Sequence, residues 1–173
     1  MKNENLFNYN GLLLTFPREI KCFIAVFVVV LSIGYFSGLL FVGQTDTTHP
    51  QGIEENYMGN EDDENAPIMK FKKSEREILT IIHTHVLSMS FIFFLLGGLL
   101  MLTKLPKKIK MFLIIEPFAS IILTFGGIYL MWSGILWMKY VIVISGILMT
   151  TIYIVSASII LYQLSLKSKF SNI

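Results

Sequence analysis

Three side chains with chemical capacity fall in stretches otherwise made of hydrocarbon: His83, His85 and Glu116. Ionisable and polar groups are costly inside a bilayer, so each is a functional candidate by default. Imidazole is the usual axial ligand of haem iron, and a His/Met pair suits soft copper or haem. Positions i and i+2 on a helix differ by about 200°, so His83 and His85 face opposite ways and do not chelate one metal from a regular helix. His85 shares a face with Met89, and Thr80, Thr84 and Ser88 form the adjacent stripe. A bis-histidine haem needs a second histidine on a facing helix, and the remaining one, His49, lies in a polar segment. A metal site therefore requires His49, a methionine, open coordination or a partner subunit. The simpler expectation is two interfacial histidines bonded to the loop or to neighbouring hydroxyls.

Glu116 precedes Pro117, which leaves the Leu113 carbonyl without its helical donor. Unpaired ionisation in hydrocarbon is expensive, so this carboxyl is expected to be protonated or partnered. Glu116, Ser120 and Thr124 repeat at i, i+4 and i+8, with Gly127 and Met131 continuing that face; Ser145, Met149 and Tyr153 repeat likewise near Ser156. These faces are expected to turn inward, either as helix packing through small and hydroxyl side chains or as a polar path linking the histidine end to the Glu116 end. The two ends differ in depth by roughly 20 Å, so a relay would need water between them.

The elements that must position these groups are set by composition. The chain has 173 residues, 54% hydrophobic and 15% charged, with a mean hydropathy of +0.65. An ordinary soluble domain is about a quarter charged. This composition excludes a disordered chain, a disulfide-stapled domain and a nucleic-acid-binding surface. The single cysteine, Cys22, excludes an internal disulfide and a cysteine-cluster metal site. The apolar residues fall in four blocks, at about 20–43, 77–103, 111–132 and 139–163. Each reaches the roughly 20 residues that span about 30 Å of hydrocarbon as a helix. The first block exceeds a signal-peptide core of about 7–15 residues and reads as a retained anchor. The expected fold is all-α, an integral membrane four-helix bundle formed as a single transmembrane domain over 1–173. Its partners are the lipid bilayer and, beyond it, other membrane subunits or further copies of the chain.

The lysine and arginine distribution predicts orientation. The short loop Lys104–Lys110 carries four lysines and no acid; with Lys2, Arg18, Lys21, Lys167 and Lys169 it marks one side as cytoplasmic. Both termini are then inside, in what reads as a bacterial cytoplasmic membrane, and Tyr129, Trp132, Trp137 and Tyr140 mark the outer interface. Residues 44–76 form one sizeable outer loop, acidic at first (Asp46, Glu54, Glu55, Glu61, Asp62, Asp63, Glu64) and basic at its end. About 33 residues cannot build an independent core, so the loop is expected to fold over the outer mouth of the bundle or dock on a partner. Its Asn60–Asn65 segment lacks the spacing of a calcium loop. Ser74-Glu75-Arg76-Glu77 predicts a capping box opening the second helix. Gly34 and Gly38 form a GxxxG pair in the first, serving packing within the chain or dimerisation.

The stretch Ile82-His83-Thr84-His85-Val86-Leu87-Ser88-Met89-Ser90-Phe91 resembles the His-x-His helix of NnrS-type haem- and copper-containing membrane proteins. More loosely, it resembles haem-ligand helices of the haem-copper oxidase subunit I lineage. That resemblance covers about one helix in four and implies that His83 or His85 ligates haem or copper. Gly52-Ile53-Glu54-Glu55-Asn56-Tyr57 with Gly59-Asn60-Glu61 resembles the outer loop of small bacterial membrane proteins of this layout. No catalytic constellation is present: there is no Ser/His/Asp set, phosphate loop, HExxH motif or carboxylate pair within the bundle. The functional expectation is an accessory or assembly subunit acting by helix contact and its acidic loop. The alternatives are a haem- or copper-binding protein using His83, His85, Met89 and His49, and a small proton or ion path using Glu116, Ser120 and Thr124.

Overall fold

The structure, a computed structural model, describes residues 9–61, 63 and 66–166. Lys2, Lys167 and Lys169 of the orientation count, and Asp62, Glu64 and Asn65 of the acidic loop, lie outside the described residues. Four long helices form: α1 (Arg18–Gln44), α3 (Glu75–Met101), α4 (Lys107–Trp132) and α5 (Met138–Ser165). A short helix, α2 (Pro50–Met58), lies between the first two, and a single 3-10 turn at Leu12–Thr15 precedes α1. All four long helices are long and apolar enough to cross a membrane. They alternate in direction, so residues 9 and 166 lie at the same end of the bundle. We call this the terminus end, and the opposite end, which carries residues 44–76, the loop end. The membrane expectation and the all-helical class hold among the described residues.

Helix boundaries follow local chemistry. Ser74 accepts from the Glu77 amide while Glu77 accepts from the Ser74 amide at 2.8 Å, the capping box expected before α3. Pro17, Pro50 and Pro106 stand at the starts of α1, α2 and α4, where a missing N–H costs nothing. Helix α4 accordingly begins at Lys107, straight after Pro106, rather than near Met111 where the apolar run starts.

Helix α5 is the hub. Its buried stripe runs through Ile142, Ser145, Met149, Ile152, Tyr153, Ser156, Ile160 and Gln163, and it packs against α4, α3, α1 and α2. The α4–α5 seam is the closest. Gly127 of α4 leaves so little space that an added Cβ would sit 2.9 Å from Ile142 Cγ1. Helix α1 meets only α5 extensively, through Ile24, Val28 and Tyr35 on one stripe. Midway along, the Tyr35 and Tyr153 rings stack at 3.8 Å and Phe93 of α3 meets both edge-on. Their hydroxyls are answered as well: Tyr153 donates to Ser32 at 3.1 Å, and Tyr35 pairs with Thr150 at 3.3 Å. Phe23, Val30, Ile33, Phe94, Ile122, Ile144 and many other large apolar side chains remain exposed, forming the surface in contact with lipid.

Both ends are closed by polar contacts. At the loop end, α2 lies over α4 and α5 with Ile53 buried. Glu54 pairs with Lys139 at 2.5 Å and Glu55 with Lys70 at 3.8 Å. Asn60 ties the returning chain, accepting from the Lys70 amide and donating to the Ile68 carbonyl. Trp132 Nε1 donates to the Lys73 carbonyl at 2.8 Å, with the Lys72 ammonium over its ring. The loop thus folds over its end of the bundle, one of the two expectations for it. At the terminus end, Leu13 is fully buried and its amide bonds the Leu102 carbonyl. Gln163 clamps the α3–α4 turn, accepting from the Lys104 amide and donating to its carbonyl.

Gly52 fixes how closely α2 can approach the end of α1, because a Cβ there would lie 1.8 Å from the Asp46 carbonyl oxygen. Gly52→Ala should therefore dislodge α2 at a cost of about 1–3 kcal/mol. Limited proteolysis should cleave residues 44–76 faster while helix content by circular dichroism stays unchanged.

Candidate functional site

Helix α3 positions the histidines. Both His83 and His85 are exposed, and they flank the hydroxyl stripe of Thr80, Thr84 and Ser88. Thr80 donates to the Arg76 carbonyl and Ser88 to the Thr84 carbonyl, each at 2.7 Å, so these hydroxyls are satisfied within their own helix. His85 turns toward α4, its ring 5.1 Å from that of Phe125, and its Nδ1 lies 2.8 Å from the Ile81 carbonyl. That bond holds Nδ1 and leaves Nε2 as the outward nitrogen, the arrangement in which a backbone carbonyl orients a ligating imidazole. His83 lies on the other flank, in a shallow open groove with Glu75, Arg76, Leu79 and Thr80. Met89 is half-buried against the core.

His49 does not join them. It precedes α2, with Nδ1 3.7 Å from Asp46 Oδ1. Among the described residues, no group of three His, Cys, Asp or Glu side chains could hold a metal ion.

Glu116, Ser120 and Thr124 are brought together along α4 toward α5. Ser120 is almost fully buried and donates to Glu116 Oε1. Thr124 and Ser145 pair their hydroxyls at 2.7 Å across the seam, and Ser145 also donates to the Val141 carbonyl. His85 packs on Phe125, on a face of α4 different from the one through which Thr124 meets α5. The histidines and Glu116 thus occupy different faces as well as different depths.

Some contributors were not singled out from the sequence. Ser32, Tyr35 and Thr150 form the polar contacts around Tyr153. Lys21 and Lys110, first counted only as orientation charges, serve as helix caps: Lys21 donates to Leu166 at 2.9 Å, and Lys110 to Met101 and Thr103 at 2.8 and 2.6 Å. Among the described residues, nothing lies within 4 Å of a Cβ added at Gly34 or Gly38, so the GxxxG pair is not a point of close approach between them.

Four apolar spanning helices, short connections and a folded loop define an integral, multi-pass helical membrane protein. Residues 47–170, most of the chain, match the family model Aq_1264_TM, a transmembrane helical domain, and the chain belongs to that family. The match takes in α2 to α5 and leaves α1 outside. Neither a curated protein nor a solved structure matches the chain.

The Thr124–Ser145 bond should contribute modestly, as interhelical hydrogen bonds in membranes average about 0.6 kcal/mol and reach about 1.7. Thr124→Val should lower the melting temperature in detergent by about 2–4 °C, and Thr124→Val with Ser145→Ala should lower it less than the sum of the single changes.

Proposed function

We propose that the protein is an accessory or assembly subunit of a larger membrane complex, acting as a single transmembrane domain that docks through α3. The observation carrying this reading is His83. It lies about 12 Å along α3 from Glu75, exposed, and has no hydrogen-bond partner among the described residues. A polar ring on the outward face of a spanning helix is stabilised by a polar group on a neighbouring helix. The acidic loop is less suited to docking than its composition implies. Glu54, Glu55 and Asp46 face Lys139, Lys70 and His49, and Glu61 accepts from the Lys72 amide. In this reading the lysines of the α3–α4 turn lie in the cytoplasm and the α2 cap lies outside, in a bacterial cytoplasmic membrane.

The test uses the single native cysteine to advantage. In a Cys22→Ser background, Thr84→Cys should form a reproducible cross-link in intact membranes to one integral membrane protein. Phe94→Cys, exposed on the apolar half of α3, should not. Equal labelling at the two positions sinks the docking reading.

The Nε2 of His85, set outward by the Ile81 carbonyl, favours a second reading in which the docked partner and His85 share a haem or soft-metal centre. The complex purified from its own membrane should then show a haem absorbance or bound copper that His85→Ala removes and His83→Ala leaves in place. A colourless, metal-free complex that keeps its partner rejects this reading without touching the first.

A further inference from the structure

Glu116 has one oxygen that nothing in the bundle answers. Its Oε1 accepts from Ser120, but Oε2 is sealed from solvent without a hydrogen-bond partner. Among the described residues one other buried side-chain polar atom is in the same position, Ser156 Oγ, on a residue only 2% exposed. Glu116 has no Lys, Arg or His in ion-pair contact among the described residues. An uncompensated buried polar atom is costly, and two along one helix pair point to an occupant.

The register sets the two residues about one turn apart in level across the seam. Thr124 meets Ser145 and Gly127 meets Ile142 across the antiparallel seam. Carried on toward the terminus end, the same register sets Glu116 level with Tyr153 and Leu113 level with Ser156. Side chains on a helix lean toward its N-terminus. The Ser156 hydroxyl therefore leans back toward the level of Glu116, whose Oε1 is held by Ser120 and whose Oε2 is left as the unanswered oxygen. At the level of Ser156 a third oxygen is free, because Pro117 denies the Leu113 carbonyl its helical donor.

An anionic oxygen, a hydroxyl and a released carbonyl form an all-oxygen donor set in a low-dielectric seam. Such a set selects hard cations, and released helix carbonyls are recurrent alkali-ion ligands within membranes. A single carboxylate matches a single positive charge. We propose that a desolvated alkali cation, sodium or potassium, binds between α4 and α5 at Glu116 Oε2, Ser156 Oγ and the Leu113 carbonyl. The site is independent of docking through α3.

Thermal unfolding of the purified full chain in detergent tests it, in sodium, potassium or choline chloride at constant pH and ionic strength. Saturating sodium or potassium should raise the melting temperature about 5 °C above choline, whichever gives the larger shift identifying the preferred ion. Glu116→Gln should abolish the difference. Ser156→Ala retains the carboxyl and should raise the half-saturating salt concentration about tenfold. Pro117→Ala returns a donor to the Leu113 carbonyl and should do the same. Where Glu116→Gln fails to fold, the Ser156→Ala and Pro117→Ala titrations decide. Equal melting in all three salts overturns the proposal and leaves a buried water as occupant; a salt response unchanged in the variants overturns it as well.

Discussion

The close contact between α4 and α5 sets the geometry on which the other helices depend. At Gly127 the absence of a side chain lets the Ile142 side chain seat against the α4 backbone, and nearby the Thr124 and Ser145 hydroxyls meet at 2.7 Å. In a bilayer no hydrophobic force separates protein from solvent, so association rests on close packing and interhelical hydrogen bonds. The seam supplies both. It presents the rest of α5 as a platform for the Tyr35–Tyr153 stack, and it carries Ser120 and Glu116 on the same side of α4.

Helix ends pose the second constraint, since the last carbonyls of a helix lack internal donors. Both long helices that finish at the terminus end are answered by lysines from elsewhere in the chain. Lys110 reaches the Met101 and Thr103 carbonyls after α3, and Lys21 reaches Leu166 after α5. A cation at a helix C-terminus also opposes the helix dipole. Positive charge gathered at this end therefore does structural work besides its bearing on orientation. At the loop end, the Ser74–Glu77 box starts α3 and the Glu54–Lys139 pair ties α2 to the start of α5. Solvent screens the latter, so it contributes little to stability.

Much of this was legible in the residues. Long apolar blocks identify spanning helices because length and hydropathy are local properties, and the Ser74 box is read from four consecutive residues. The inward turn of Ser120, Thr124 and Ser145 follows from their spacing. Helix α2 was not anticipated: nine residues with a glycine at the third position carry little helical signal, and α2 is stabilised by burying Ile53 on other helices. The direction of His85 depends on where α4 lies, which spacing along α3 cannot reveal. Ser156 was visible as a hydroxyl near Tyr153, but its want of a partner emerges only when both helices are in place. The lysine caps join residues far apart in the chain, beyond any local pattern.

The position of α1 has a consequence for the order of assembly. Its side-chain hydrogen bonds to other spans all reach α5 or the residue just after it: Lys21 to Leu166, Ser32 to Tyr153, Tyr35 to Thr150. Helix α1 thus waits for α5, which is synthesised well after it. Until α5 arrives, the stripe of Ile24, Val28 and Tyr35 faces acyl chains, and the Tyr35 phenol has no hydroxyl to meet. The other spans can associate earlier, because α3 and α4 are sequence neighbours joined by a tight turn. Closure of the bundle by α1 is therefore a late, long-range step, in which ordering a large intervening chain must precede the gain from contact.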